Sequence, residues 1–308
     1  MARRVSFRPA GIACASALMF CLITSSGHAA AVSCGDVVTA DIVVENDLVG
    51  CAGNGLVISA SDVVVDLNGH TVSGLGSGTG ILVAAPEDVV ISNIEITDGT
   101  VRGFATGIDF EGDQRGAIRG VRVHGMNISR NASGIAIFTF ANDVELRDNR
   151  IARNSGHGIQ TGDDTWPVDI VGNDILRNGG QGIRVREDSV RLVSDNVVAH
   201  NGGTGVAITD SVSTITGNTL LRNGGDGLSI FERVPSFLPL YVVSDNVANH
   251  NALGGMWAAA DPPPPAGPAG SGNIAKHNGL FDCLLIVCAS NRGHAEAPSD
   301  LEARLHQD

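Results

Sequence analysis

Between Ile135 and Ile151 the chain runs through three short apolar stretches, Ile135/Ile137, Val144/Leu146 and Ile151, with polar residues at the alternate positions. Each is β-branched or aliphatic at every second position and too short for a helix, so each predicts a half-buried strand. The same order returns down the chain. A strand opened by glycine recurs as Gly134-Ile135-Ala136-Ile137, Gly158-Ile159-Gln160-Thr161, Gly182-Ile183-Arg184-Val185, Gly205-Val206-Ala207-Ile208 and Gly227-Leu228-Ser229-Ile230, in steps of 24, 24, 23 and 22 residues. A second element keeps phase with it: asparagines five apart at 149/154, 173/178, 196/201, 218/223, 246/251 and 273/278. No segment shows a helical period long enough for a crossover helix, which excludes a wound βαβ sheet and leaves a three-sided coil.

The prediction is therefore an all-β solenoid, a single-stranded parallel β-helix of about nine coils between Leu56 and Val287, with three short strands per coil and fainter coils at Gly80-Ile81-Leu82-Val83 and Gly107-Ile108-Asp109-Phe110. Stacked coils place like residues over like at roughly 4.8 Å, so inward asparagines are expected to bond one another through their side-chain amides, while the glycines permit corner backbone angles. One coil cannot offset the entropy of ordering itself; stacking supplies the missing contacts, and the ends need caps. Two insertions break the phase: Arg233 to Leu240, and a polyproline-like loop over residues 261–270. The expected layout is a leader over residues 1–31, an N-terminal cap over 32–55, the helix over 56–290 and a polar tail over 291–308.

The leader carries Arg3, Arg4 and Arg8, an apolar run from Ala10 to Ile23 and small residues at Ala29 to Ala31, the layout of a cleaved secretory signal. Its removal takes three arginines and no acid, moving the net charge from −13 to −16. Such acidity argues against nucleic acid as a partner, and no later stretch is long and apolar enough for a membrane helix. A soluble monomer outside the cytoplasm, secreted or periplasmic, is expected. The four cysteines of the mature chain fall as one pair at each end, which in an oxidising compartment favours Cys34–Cys51 and Cys283–Cys288 disulfides over the other connectivities and over a zinc site, since no C-x-x-C occurs.

The opening Cys34-Gly35, Asp47-Leu48, Cys51, Gly55-Leu56-Val57-Ile58 and Val63-Val64-Val65-Asp66-Leu67-Asn68-Gly69-His70-Thr71, followed by the Asn/Gly-rich coils, resembles the right-handed parallel β-helix repeat proteins of bacteria over almost the whole mature chain. That superfamily includes pectate lyases, polygalacturonases, alginate epimerases and lyases, and the periplasmic β-helix protein that helps mature the copper site of nitrous oxide reductase. The resemblance implies a fold and leaves the activity open.

Two columns carry candidate chemistry. The fifth residue after the strand-opening glycine is acidic in four coils, Asp163, Glu187, Asp210 and Glu232, doubled by Asp164 and Asp188. Stacked carboxylates repel, so this column either raises a pKa or attracts a cation; Asp163, Glu187 and Asp210 are the expected calcium ligands. Asp163, Asp164, Glu187 and Asp188 are the catalytic candidates, with Trp166 as a sugar-stacking face. The plainer reading is a solvated turn. The residue before each second asparagine is basic or titratable, Arg130, Arg153, Arg177, His200, Arg222, His250 and His277, a stripe suited to a polyanion such as a uronic-acid polymer. Here the plainer reading is a row of exposed turn residues balanced by Asp148, Asp174, Asp195 and Asp245.

Other motifs fail. Gly156-His157-Gly158 and Gly162-Asp163-Asp164 lie in the reverse order from the polygalacturonase signatures, with no Arg-Ile-Lys after them. The Gly-Gly-x-Gly runs at 179, 202 and 224 have Arg184, Ala207 and Ser229 where the calcium-binding nonapeptide needs Asp. Lyase chemistry is narrowed by a mature chain with one lysine, Lys276, and one tyrosine, Tyr241, leaving His124, His157 and His200 as bare candidates. No Met/His/Cys cluster has copper-ligand spacing. The function expected is binding of an extracellular or cell-envelope polysaccharide along one face; the alternatives are a polysaccharide lyase, hydrolase or epimerase, and a structural or adhesive surface module.

Overall fold

The computed structural model describes residues 28–289, apart from 113–116, 139, 163–164, 188 and 262–265. The chain winds as a right-handed parallel β-helix. Each turn contributes one strand to each of three sheets, and the sheets hold ten, ten and eleven strands among the described residues. Sheet I runs from His28–Ala30 through Ile91–Thr97, Ile118–His124 and Ala141–Arg147 to Val242–Ser244. Sheet II runs from Leu48–Cys51 through Arg150–Ala152 and Val197–Ala199 to Ile274–Lys276, and sheet III from Asp36–Val38 through Ser133–Ile137 to Phe281–Leu284. The coils number about ten. The first is the segment expected as a cap, since Asp36–Val38, Ile42–Val44 and Leu48–Cys51 already join the three sheets.

Period-two alternation turns one set of side chains into the coil and the other to the surface. The inward set stacks in unbroken columns. In sheet III, Leu56, Ile81, Ile108, Ile135, Ile159 and Ile183 follow one another coil by coil, all buried in one continuous core. The two asparagine columns lie beside it and form the expected ladders. Asn149, Asn173, Asn196, Asn218 and Asn246 each donate Nδ2 to the Oδ1 of the next asparagine at 2.9–3.1 Å. The second column does the same from Asn154 to Asn278. Each rung also bonds a backbone carbonyl of the preceding coil, as Asn201 does with Ile175 O at 3.0 Å.

The strand-opening glycines serve a purpose other than the one expected. None of Gly134, Gly158, Gly182, Gly205 or Gly227 has a positive φ. They are required for close approach: a Cβ on Gly158 would stand 2.6 Å from Gly182 O and 2.9 Å from Asn178 Nδ2, and one on Gly205 2.6 Å from Gly227 O. The left-handed corner angles fall instead on polar residues. Between sheets II and III, Arg130, Arg153, Arg177, His200, Arg222, His250 and His277 all have φ between 50° and 58°. Between sheets I and II, Asp and Gly alternate over eight coils, Asp98, Gly125, Asp148, Gly172, Asp195, Gly217, Asp245 and Gly272, every one at positive φ. Asp tolerates this region because its short side chain can bond locally, and Gly because it has no Cβ.

Both disulfides form as expected, Cys34–Cys51 and Cys283–Cys288, with Cα separations of 5.4 and 6.4 Å. They tie down the first and last coils, where sheets would otherwise end in open edges. His28–Ala30, at the expected cleavage site, is the edge strand of sheet I and pairs with Ile42–Val44. The Arg233–Leu240 insertion forms a 3-10 turn over Pro235–Leu240. It is anchored by Tyr241, whose buried hydroxyl donates to Glu232 Oε2 at 2.8 Å and accepts from the Ser211 N–H at 3.0 Å. Burial, and then the bond to Glu232, raise the Tyr241 pKa above the ordinary phenol value. No helix of the described residues is long and apolar enough to cross a membrane.

Candidate functional site

The two columns read from the sequence occupy different corners of the triangular cross-section. Asp163, Asp164 and Asp188 lie outside the described residues. Glu187 and Asp210 stand on successive coils at the corner from sheet III to sheet I, and Arg233 closes over both: its Nη2 reaches Glu187 Oε1 at 3.0 Å and its Nε bonds Asp210 Oδ2. The like-charge pair thus carries a guanidinium as its counter-ion. Glu232, the fourth acid of the column, is buried and its oxygens accept from Tyr241 and from the Val234 N–H. The charge that sequence spacing assigned to one uniform column is used in two unrelated ways.

The basic stripe is real as a geometric row but lies at the corner from sheet II to sheet III, away from the acidic column. Arg153, Arg177 and His200 are each engaged in an interaction of their own. At its end the His250 and His277 rings stack with centroids 5.0 Å apart and planes inclined by 20°. Trp166 is 49% exposed and stands on the other side of the helix, at the entrance to sheet I, its backbone N–H donating to Asn142 Oδ1 at 3.0 Å. Trp166 and the stripe therefore do not form one binding face. His157 is a structural residue: its Nδ1 accepts the Gln181 N–H at 3.0 Å, and burial, aided by Arg184, lowers its pKa.

The site that sequence reasoning missed lies on the outer face of sheet I. A groove of about 640 Å³ is lined by Glu95, Arg119, Arg122, Glu145, Asp169 and Arg191, with Pro167 next to the exposed Trp166. These side chains come from five successive strands, whose register places Glu95, Arg122, Glu145 and Asp169 in one outward column. It carries both signs, with Arg122 between Glu95 and Glu145 and Asp169 following Glu145. Arg122 Nε lies 3.4 Å from Glu145 Oε2, Arg147 Nε donates to Glu145 Oε1 at 2.8 Å, and Arg191 forks onto both oxygens of Asp169. The Arg147 bond, ahead of the charge of Arg122, holds the Glu145 carboxyl below its ordinary range. At the margin, His124 Nε2 pairs with Glu95 Oε1 at 3.0 Å and its Nδ1 with Thr97 Oγ1 at 3.2 Å. The signal was present in the sequence as a polar residue between two inward aliphatics, in Ile94-Glu95-Ile96, Val121-Arg122-Val123, Val144-Glu145-Leu146 and Val168-Asp169-Ile170. It appears only when the repeat is aligned on the middle strand.

The sequence profile of the periplasmic copper-binding protein (NosD) family matches residues 29–226. The chain belongs to that family. A right-handed β-helix region profile also matches residues 161–292. No curated protein sequence matches the chain. Among solved structures, an alginate lyase from Paenibacillus sp. is similar at 15% identity and a TM-score of 0.52, covering 84% of this chain and 98% of that one. The periplasmic alginate epimerase AlgG is similar at 13% identity and a TM-score of 0.47, covering 82% and 78%. At such identities the likeness is one of fold. Membership in a periplasmic family and the two disulfides are compatible with a place outside the cytoplasm.

Copper fits the described residues poorly. Among them no three His, Cys, Asp or Glu side chains converge into a set able to hold a metal ion. The four cysteines among the described residues are spent in disulfides, and the thioethers of Met126 and Met256 are sealed in the core. His250 and His277 supply two imidazoles and no third soft ligand beside them.

Proposed function

We propose that this NosD-family protein works outside the cytoplasm by binding an extracellular or cell-envelope polysaccharide along one face, the outer face of sheet I. The observation that carries this reading is the open groove crossing five coils there, with Arg119, Arg122 and Arg191 interleaved among Glu95, Glu145 and Asp169. Five strands at the inter-strand spacing span about 19 Å, the length of an extended oligomer rather than of a single small molecule. Guanidinium forks suit the carboxylates of a uronic-acid polymer, the acidic side chains accept sugar hydroxyls, and the exposed Trp166 offers an apolar ring for stacking.

Catalysis on that polymer is a second reading, favoured by His124, an imidazole oriented on one side by Glu95 and on the other by Thr97 at the groove margin. The deciding experiment incubates the purified mature protein with uronic-acid and neutral polysaccharides, read by affinity-gel retardation, reducing ends and absorbance of unsaturated products. Retardation that Arg122→Ser with Arg191→Ser abolishes, and Arg153→Ser with Arg177→Ser leaves intact, supports the groove. New products lost in His124→Ala establish an enzyme. Silence in every channel rejects both readings and leaves a structural or adhesive module.

A further inference from the structure

Two rows of side chains run along the outer face of sheet I. In the strands Ile91–Thr97, Ile118–His124 and Ala141–Arg147, strict alternation fails once, at the same place in each. The buried pairs Ile91 and Ile94, Ile118 and Val121, Ala141 and Val144 are separated by two outward residues instead of one. The second of the two, Asn93, Gly120 or Asp143, has φ between 55° and 61°. A bulge of this kind re-aims the residue before it. Ser92, Arg119 and Asn142 thereby stack coil over coil as a rim beside the charged column, and Trp166, whose backbone N–H bonds Asn142, extends the rim by one coil. In the middle of the bulge row Gly120 carries no side chain, and a Cβ there would approach nothing closer than Asn93 N at 3.6 Å. Asn93 and Asp143 hold the same left-handed angle with side chains, so the angle alone does not demand glycine; its effect is an open floor beside Arg119.

The charges of the column are spent on one another. Arg122 pairs with Glu145 at 3.4 Å, Arg191 with Asp169, and Glu95 with His124 at 3.0 Å, while Asp143 adds its charge to those facing Arg191. Of the arginines lining the groove, exposed Arg119 is the one that forms no ion pair among the described residues. Given the polysaccharide reading of this groove, on which the inference rests, we propose that Arg119 is the residue that selects an acidic sugar, while Trp166 stacks another ring of the same polymer two coils away, about 10 Å. A guanidinium already facing a carboxylate offers an incoming anion little net charge; an uncommitted one offers its whole fork. The Ser92 hydroxyl and the Asn142 amide, which flank Arg119 in the rim, serve uncharged sugar hydroxyls. Arg122 and Arg191 have a different part: they neutralise Glu145 and Asp169, which would otherwise repel any anionic chain. Their loss removes binding altogether, whereas loss of Arg119 removes the choice between an acidic chain and a neutral one.

The test measures affinity-gel retardation of the mature protein by polygalacturonate and by alginate, each beside its methyl-esterified, uncharged form. The parent should bind an acidic polymer at least tenfold more tightly than the same polymer esterified. Arg119→Gln should bind both forms alike, at the level of the esterified one, and Arg119→Lys, which keeps the charge, should retain the preference. Trp166→Ala should weaken both forms by a similar factor, about tenfold. Arg186→Gln removes an equal charge from the exposed face of sheet III and should leave the preference intact, which separates Arg119 from net charge. A preference that survives Arg119→Gln, or a parent that binds acidic and esterified forms equally, overturns this inference and leaves the polysaccharide reading standing. A parent retarded by no polysaccharide, acidic or neutral, overturns both.

Discussion

Asn178 directs two hydrogen bonds onto a single atom of Asn201, the backbone N–H and the side-chain Nδ2 both reaching Oδ1 at 3.0 Å. Asn201 passes the pattern on, donating to Ile175 O and to Asn223 Oδ1. Asn201→Ala strands these buried groups together, and each unsatisfied buried group costs about 1–3 kcal/mol. Urea denaturation should show a loss of about 3–5 kcal/mol, against about 1 kcal/mol for Asn278→Ala at the more open end of the ladder. Equal, small losses at both positions would remove the ladder as a source of stability.

Asp109 sits on the outer face of sheet III between Leu82 and Ala136. Burial pushes its carboxyl up to about 6, against the Phe110 N–H bond that lowers it, with Glu111 adding to the rise. The folded state therefore holds a proton that the unfolded chain releases near pH 4. Stability from this group is complete below pH 4 and falls away as the pH climbs through 6. Asp109→Asn should be more stable than the parent at pH 7 by about 2 kcal/mol and indistinguishable from it at pH 3.5. A pH-independent difference would refute the assignment.

Arg233 serves Glu187 and Asp210 as an internal cation. The melting temperature of the parent should ignore millimolar calcium, whereas Arg233→Ala, which leaves the carboxylates uncompensated, should melt earlier and recover with calcium. A parent that itself gains stability from calcium would restore the cation site expected at this corner.

Gly217 has φ +68°, and a Cβ there would stand 2.5 Å from Asp195 Oδ1. Gly217→Ala should cost about 1–2 kcal/mol from the left-handed backbone alone, and more from that contact. Performed together with Asp195→Gly, the contact part of the loss should vanish. A double-mutant cycle reads the difference; additive losses would show that the two corners are independent.

The fold was legible because stacking repeats one physical demand per coil. Ile135, Ile159 and Ile183 must be aliphatic and Asn154, Asn178 and Asn201 must pair, and a period near 24 residues is the trace of that demand. The site was legible only in part. Exposed side chains on a solenoid carry no packing constraint, so Glu95, Arg122 and Glu145 follow no fixed residue type, and the alternation of sign that joins them became visible only with register. The Arg/His stripe was read as a ligand surface, yet its shared φ near 55° shows that the corner backbone also acts on these positions. Arg233 escaped notice because its partners, Glu187 and Asp210, lie 46 and 23 residues back along the chain.

The Asp/Gly corner restricts how such a molecule can change length. Deleting one coil would keep both asparagine ladders and every aliphatic column in phase, and so looks harmless. It would also bring Asp over Asp, or Gly over Gly, at the corner between sheets I and II. Only removal or duplication of two neighbouring coils restores the alternation seen from Asp98 to Gly272. The unit by which this protein can grow or shrink without a fault is the pair, twice the repeat its sequence displays.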